Sequence, residues 1–435
     1  MSWRKLPLTT LALFAIVAVP HMGAQTLKVL YSFTGGPDGA SPRSALILDS
    51  AGNLYGTTFG ATDYPPGQVT GTTTGSVFKI GPGGSFTLLH DFGTGGVDGN
   101  NPSGGLIRDF AGNLYGATSG GGASTNPDCS AGGHSWPSSG CGEIFRIDAN
   151  GNLGILYSFS GNNKCRSGCS PLAPLTLDAA GNLYGSTYLG GSRNCDTFRL
   201  EPDGAVASSD CGVVFELDTK GKETVLHRFG NGRRDGDFPN SGLILDAAGN
   251  IYGTAFSGGI NEFGIGGDGV VFKLDPGGKE DVMFFFHGVL NTYAPNGSLI
   301  QDAAGNLYGT TNFEAFKLDS FGNFTELSDL NGYGTVAPLI ADGNGNFYGT
   351  TLNGGTLPPI CGGTLPYDTC GTVFKLDSLG NFTILYQFSG HNDGGNPAAG
   401  LVMDAAGNLY GTTTYGGPVN SNCPAGCGVV FKIPP

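Results

Sequence analysis

Carboxylate and amide side chains recur just before a proline at four places in the sequence, and their oxygen atoms could hold a cation or a polar ligand. The four segments read PDGASP, VDGNNP, RRDGDFP and NDGGNP. The candidate binding residues in these segments are Asp38, Asp98, Asn100, Asp235, Asp237, Asp393 and Asn396. Because Ca²⁺ prefers oxygen ligands, Asp98, Asp235 and Asp393 are its candidate ligands, and no other cofactor is predicted. The alternative, which we favour, is that these Asp-Gly pairs serve turns.

Trp136 is a second candidate, within the segment GGHSWPSSG. An exposed tryptophan can stack on a sugar or anchor a protein partner, but it can equally pack into its own loop. His90 and His227 occupy positions that tyrosine holds in other copies of a repeat described below, which favours packing over catalysis. Motifs of serine hydrolases, zinc proteases and P-loop enzymes are absent from the sequence, so no catalytic residue is assigned.

The ten cysteines form five close pairs along the chain. An even number of cysteines at short spacing in an exported chain predicts disulfides, and no quartet with zinc-ligand spacing is present. In four pairs the second cysteine directly precedes a glycine that opens a predicted strand. The predicted pairs are Cys129 with Cys141, Cys165 with Cys169, Cys195 with Cys211, Cys361 with Cys370, and Cys423 with Cys427.

These residues must be positioned by a repeat, which reads DAAGNLYGTT at residues 302–311 and occurs seven times with small changes. Each copy belongs to four short segments of β-type composition, here called strands a, b, c and d. A D-x-x-G turn joins a to b, because aspartate accepts backbone N–H bonds and glycine adopts a positive φ. The glycine inside strand b predicts close approach of a bulky group, for which we expect an aromatic ring from the adjoining sheet.

The two ends of the chain complement each other. The last copy ends after strand c, in GVVFKIPP, whereas residues 26–33 match strand d of other copies. Pairing the two would close a ring and leave no exposed sheet edge. The sequence therefore predicts an all-β fold over residues 25–435, a seven-bladed β-propeller of four-stranded antiparallel blades closed by strand 26–33.

The repeated wording DAAGNLYGTT, then GVVFKLD, then LYSF, resembles the GloVer tandem repeat of Gloeobacter and Verrucomicrobia over essentially all of residues 26–435. More distantly, the turn is similar to that of NHL-type propellers. The resemblance implies an exported protein, and it implies neither an activity nor catalytic residues.

Residues 1–24 have the features of a Sec-type signal peptide, with Arg4 and Lys5 before the apolar run 11–19. Removing these two charges takes the net charge from −14 to −14 − 2 = −16. Such an acidic protein would repel nucleic acid. We expect a secreted, periplasmic or cell-envelope monomer with no transmembrane segment in the mature chain.

Two functions remain open for the face that carries the b–c loops and the d–a crossovers. The first is non-catalytic binding of carbohydrate or protein, by elaborated loops on a rigid scaffold. The alternative is a lyase or glycoside hydrolase with carboxylates at the channel mouth. A purely structural surface protein is a third interpretation.

Overall fold

Seven antiparallel sheets, each with a core of four strands, form the described part of the protein, as seen in a computed structural model. The sheet of blade 2 has a fifth strand, Asn100–Pro102, on its strand b. The structure describes residues 25–60, 74–93, 98–122, 140–160, 165–191, 199–200, 206–207, 211–230, 234–260, 266–287, 294–330, 334–335, 337–355 and 369–435. The sheets are arranged as the blades of a seven-bladed β-propeller, which confirms the predicted fold. Within the described residues, no helix has the length and apolar character needed to cross a membrane.

Every blade has the strand order a-b-c-d, and strand a is only two residues long. Strand d pairs with strand c through a bulge in every blade, which bends the outer edge of the sheet. In chain order the strands are β1 (Lys28–Ser32); in blade 1, β2 (Ile47–Leu48), β3 (Leu54–Thr58), β4 (Ser76–Ile80) and β5 (Phe86–Asp91); in blade 2, β6 (Asn100–Pro102), β7 (Ile107–Arg108), β8 (Leu114–Gly120), β9 (Glu143–Ile147) and β10 (Leu153–Ser158); in blade 3, β11 (Thr176–Leu177), β12 (Leu183–Thr187), β13 (Arg199–Leu200), β14 (Val206–Ala207), β15 (Val213–Leu217) and β16 (Glu223–Arg228); in blade 4, β17 (Gly236–Asp237), β18 (Ile244–Leu245), β19 (Ile251–Ala255), β20 (Ser257–Ile260), β21 (Gly266–Gly267), β22 (Val270–Leu274) and β23 (Glu280–Phe285); in blade 5, β24 (Ile300–Gln301), β25 (Leu307–Thr310), β26 (Glu314–Leu318) and β27 (Phe324–Asp329); in blade 6, β28 (Ile340–Ala341), β29 (Phe347–Thr351), β30 (Thr372–Leu376) and β31 (Phe382–Gln387); and in blade 7, β32 (Val402–Met403), β33 (Leu409–Thr413) and β34 (Val429–Ile433).

The N-terminal strand closes the ring. β1 pairs antiparallel with β34 and serves as strand d of blade 7. The N–H of Phe33 extends the pairing by donating to the carbonyl of Gly428 at 3.0 Å. Closure through the first and last strands is therefore confirmed.

The a–b turns are built by one aspartate each. In blade 1, Asp49 accepts the N–H groups of Ala51 and Asn53, the Asn53 amide and the Tyr55 hydroxyl, at 2.8–3.2 Å. Burial raises the pKa of Asp49, but these hydrogen bonds lower it by more. Burial and the same aspartate raise the pKa of Tyr55. Six further aspartates accept bonds from the asparagine and tyrosine of their own copies: Asp109, Asp178, Asp246, Asp302, Asp342 and Asp404.

The glycine of strand b contacts a phenylalanine of strand c in its own blade. A Cβ on Gly56 would lie 2.6 Å from Cζ of Phe78, its partner in register, and 2.7 Å from Cδ2 of Leu46. The same clash recurs in all seven blades. The expected ring is therefore present, but its predicted origin in the adjoining sheet is wrong, because the phenylalanine lies directly across the b–c pairing.

Phenylalanines also join the blades to one another. Phe33, at the end of blade 7, packs edge-to-face against Phe78 of blade 1 with ring centroids 5.1 Å apart. Phe92 of blade 1 contacts Phe145 of blade 2 in the same way at 5.2 Å. Such pairs add about 0.5–1.5 kcal/mol to the effect of burying the rings. Both rings of each pair are fully buried, so they form the core between blades.

In five crossovers, the residue before a proline donates its N–H to a carbonyl of the preceding blade, and we call this arrangement a latch. In the ring-closing latch, the N–H of Ser41 donates to the carbonyl of Cys427 at 2.9 Å, and Pro42 packs on Gly428, where a Cβ would lie 2.7 Å from the proline Cδ. Ser41 has a φ of 57°, which is strained for a residue before proline. The other latch residues with positive φ are Asn101, Ser170, Phe238 and Asn396.

The inner segments of the blades touch one another around the axis. A Cβ on Gly104 of blade 2 would lie 2.2 Å from the carbonyl oxygen of Ala173 in blade 3, and one on Gly400 would lie 2.8 Å from Pro338. Small residues are therefore required before strand a. Strand d lies at the opposite edge of each sheet and forms the outer edge of the blade.

Candidate functional site

The crossover carboxylates lie at the outer rim rather than at a channel mouth. Asp38 accepts the hydroxyl of Tyr31 at 3.0 Å, and Asp393 accepts that of Tyr386 at 3.0 Å. Asp98 lies 2.9 Å from Nε2 of His90. Each aspartate thus contacts the strand d that it follows in the chain, because only a short turn separates the two.

The proposed Ca²⁺ ligands are consequently far from forming one site. Asp98 contacts β5 of blade 1, Asp235 contacts β16 of blade 3, and Asp393 contacts β31 of blade 6. The structure therefore corrects the expectation that they gather. The sequence pattern was misleading because repeated residues occupy equivalent positions in different blades, which a propeller spreads around its rim.

The predicted amide residues and Asp237 serve the crossovers. Asn396 donates from Nδ2 to the carbonyl of Leu352 at 2.9 Å. Asn100 begins β6 and is buried, and Asp237 ends β17. The side-chain oxygens of Asn100 and Asn396 are both buried without a hydrogen-bond partner among the described residues. Trp136, the predicted aromatic contact, lies outside the described residues.

The structure contains disulfides between Cys165 and Cys169 and between Cys423 and Cys427. Cys141, Cys211 and Cys370 are also disulfide-bonded, and their predicted partners Cys129, Cys195 and Cys361 lie outside the described residues. The carbonyls of Cys141, Cys211, Cys370 and Cys427 accept the latch N–H of the next crossover. A disulfide therefore attaches a b–c loop at the point where two blades are fastened.

One group of unlike ligands meets between blades 3 and 4. His227 Nε2 lies 3.1 Å from Oδ1 of Asp235 and 3.9 Å from Oε2 of Glu280. One ligand atom from each of the three residues lies within 4.8 Å of the other two. The side chains of His227, Asp235 and Glu280 are 14%, 8% and 15% exposed, so solvent reaches them only narrowly.

Glu280 is a poorly solvated carboxyl group. Burial, the charge of Asp235 and a hydrogen bond with Asp235 raise the pKa of Glu280 well above its usual range, with a further contribution from Asp281. Its Oε1 is buried without a hydrogen-bond partner among the described residues. This residue was missed by the sequence reasoning, although aligning the repeats would have marked a glutamate where most copies have an apolar residue.

A second group of carboxylates lies in blade 5, beside the shortest b–c loop, 311–313. Glu314 is buried and pairs in register with Asp329 of β27. Burial and the charges of Glu326 and Asp329 raise the pKa of Glu314 to about 7. These carboxylates belong to one blade, so they do not form the multi-blade arrangement that the enzyme alternative requires.

Large apolar side chains are exposed on both faces of the ring. Phe110, Phe321 and Leu379 are exposed at a–b or c–d turns, on the face opposite the loops. Val419 is exposed in the b–c loop of blade 7. Exposed apolar residues therefore do not by themselves select the binding face.

The repeat pattern has relatives. A family model described as the Gloeobacter/Verrucomicrobia repeat matches residues 16–199 and 203–420. No curated protein matches the sequence. Among solved structures, a putative gluconolactonase is 14% identical with a TM-score of 0.41, and the match covers 75% of this chain and 89% of the other. A gluconolactonase from Xanthomonas campestris is 14% identical with a TM-score of 0.42, covering 95% and 90%.

Proposed function

Because the chain belongs to the Gloeobacter/Verrucomicrobia repeat family, we propose that it is an exported, non-catalytic propeller that binds carbohydrate or protein. We assign binding to the face that carries the b–c loops and d–a crossovers. Residues 1–24 would direct export as a Sec-type signal peptide, and the mature protein would act in the envelope or outside the cell as a monomer.

The proposal rests mainly on the b–c loops, because these are the segments in which the seven copies of the repeat differ. All seven a–b turns use the same aspartate network, whereas the b–c loops range from residues 311–313 in blade 5 to 188–212 in blade 3. Variable loops on a rigid support are typical of binding surfaces. The latches and disulfides favour this interpretation, because they fix the base of the loops.

The carboxylates disfavour the alternative of a lyase or glycoside hydrolase. Glycoside hydrolases need two carboxyl groups about 5–9 Å apart on either side of a substrate. The predicted crossover aspartates contact side chains of the preceding strand d instead, and they are Asp38, Asp98, Asp235 and Asp393.

A glycan array probed with the purified, disulfide-bonded protein tests this function. We expect Trp136→Ala, in the b–c loop of blade 2, to weaken binding of any recognised glycan at least about tenfold, as loss of a sugar-stacking ring should. The matched control is Phe110→Ser, on the opposite face of the same blade, which should bind as the wild type does. Loss in the control with retention in Trp136→Ala would refute the assigned face. Cleavage of a bound glycan would instead support the hydrolase or lyase.

A further inference from the structure

We propose that His227, Asp235 and Glu280 form a binding site for a divalent first-row transition-metal ion, with Zn²⁺ as the probe. The ligands would be Nε2 of the histidine and one oxygen of each carboxylate. This site shares Asp235 with the calcium site expected from the sequence, but its other ligands, His227 and Glu280, and its nitrogen-and-oxygen chemistry are different. Asp235 lies in a d–a crossover of the proposed binding face, and the metal site does not depend on binding of carbohydrate or protein there.

The first argument is geometric. Ligands about 2.1 Å from a tetrahedral ion are separated by about 3.4 Å. The two distances from His227 Nε2, 3.1 Å to Asp235 and 3.9 Å to Glu280, bracket that value. Small side-chain rotations would therefore suffice to place an ion among the three atoms. Three protein ligands leave a fourth position for water, as in open zinc sites.

The second argument compares this boundary with the other six. The residue equivalent to Glu280, at the start of strand d, is apolar in five of the seven copies: Leu27, Phe86, Leu153, Phe324 and Phe382. Phe86 stacks on Tyr31 of the preceding blade with centroids 4.5 Å apart, and Phe324 stacks on Phe284 at the same distance. The fold is therefore stabilised here by apolar contacts, and it does not require a glutamate.

Two other boundaries between blades carry part of this set of histidine, aspartate and glutamate ligands. Blades 1 and 2 have the pair His90 and Asp98, but Leu153 replaces the glutamate. Blades 2 and 3 have Glu223, but Tyr157 replaces the histidine. Only between blades 3 and 4, among the residues described, do histidine, aspartate and glutamate coincide.

The ligand chemistry selects the class of ion. Imidazole suits zinc and its first-row neighbours, whereas Ca²⁺ and Mg²⁺ prefer oxygen ligands alone. Among the residues that the structure describes, a second cluster has metal-ligand residue types: Cys141, Cys165 and Cys169. These cysteines are disulfide-bonded and cannot supply the thiolate that binds metal.

Titration calorimetry of the purified, disulfide-bonded protein with Zn²⁺ tests the site. We expect one strong equivalent, with at least tenfold weaker binding in His227→Tyr and Glu280→Leu. Both substitutions use residues that this chain carries at equivalent positions, Tyr386 and Leu153, so the blades should still pack. The matched control is His90→Tyr, which should keep the wild-type affinity.

Absorption spectra of the Co²⁺-loaded protein provide a readout of the ligands themselves. Nitrogen and oxygen ligation should give weak d–d bands without thiolate charge transfer, and Glu280→Gln, which conserves shape, should change those bands. The proposal is overturned if the wild type does not bind Zn²⁺, if His227→Tyr binds as tightly as the wild type, if His90→Tyr shows the same loss, or if Ca²⁺ binds as tightly as Zn²⁺. None of these outcomes bears on the glycan-binding test.

Discussion

Gly309→Ala should destabilise blade 5 through one added methyl group. Its Cβ would lie 2.7 Å from Cζ of Phe316 and 2.8 Å from Cδ2 of Leu299. Carbon atoms in contact are normally about 3.5–4.0 Å apart, so the ring must retreat by about 1 Å. Phe316 is fully buried and has little room to move. Overpacking lowers the free energy of unfolding by about 1–3 kcal/mol. Alanine loses less backbone entropy on folding than glycine does, which raises the free energy of unfolding by about 0.5–1 kcal/mol. The net expected loss is therefore about 0–2.5 kcal/mol, with a central value of about 1 kcal/mol.

Urea unfolding followed by fluorescence measures this loss as a lower midpoint at an unchanged slope. Gly154→Ala is the matched control, because Gly154 lies in strand β10 with no atom within 4 Å of an added Cβ. The control should be as stable as the wild type or slightly more stable.

A double-mutant cycle identifies the ring as the cause. Phe316→Leu removes the Cζ atom, so the double variant with Gly309→Ala should lose about 1 kcal/mol less than the sum of the two single losses. Equal stability of Gly309→Ala and Gly154→Ala, or strict additivity in the cycle, would refute the close-packing explanation for the seven glycines.

Three further predictions concern charge and closure. Glu314→Gln should be more stable than the wild type above pH 7, by at most about 3 kcal/mol. This difference in stability should shrink as the pH falls from about 7 to 4.5, because folding raises the pKa of Glu314 and the folded protein holds the proton in that window. Unfolding midpoints across pH measure the difference, and a pH-independent difference would contradict the prediction. Asp302→Ala should lower the free energy of unfolding by about 1–3 kcal/mol at pH 7, because its hydrogen bonds are lost. This loss should become smaller as the pH drops below about 4, where the wild-type carboxylate is protonated through its lowered folded-state pKa. Urea midpoints at pH 7 and pH 3 measure the loss, and an equal loss at both would contradict the prediction. Cys423→Ser should lower the free energy of unfolding by about 2 kcal/mol and expose residues 25–42 to protease. Cys165→Ser breaks a disulfide with the same sequence separation and should cost a similar amount without that exposure. Identical cleavage patterns would show that the Cys423–Cys427 disulfide has no role in closure.

The last disulfide is expected to act on closure because of what it contacts. A Cβ on Gly35 would lie 2.8 Å from Sγ of Cys423 and 2.9 Å from Sγ of Cys427. Asn420 of the same loop donates to the carbonyl of Thr34 at 3.0 Å. The loop of the last blade thus holds the segment that follows the first strand, on the loop face of the propeller.

The amino-acid sequence by itself determined the number of blades, the turn chemistry and the closure. An a–b hairpin is formed by neighbouring residues, such as Asp302, Asn306 and Tyr308, whose hydrogen bonds need no distant partner. The missing last strand and the matching first one fixed the ring, because an unpaired strand edge is unfavourable. The close approach at the strand-b glycine was also predictable, although not the origin of the ring.

The tertiary structure alone decided which side chains meet between blades. The sequence showed that His227 replaces a tyrosine and that Asp235 follows it, but not that Glu280 of the next blade would face both. It also suggested that Asp98, Asp235 and Asp393 gather, whereas they lie at the edges of three separate blades. The physical reason is that hairpin contacts depend on a few consecutive residues, whereas contacts between blades depend on how each sheet is rotated and bulged against the next.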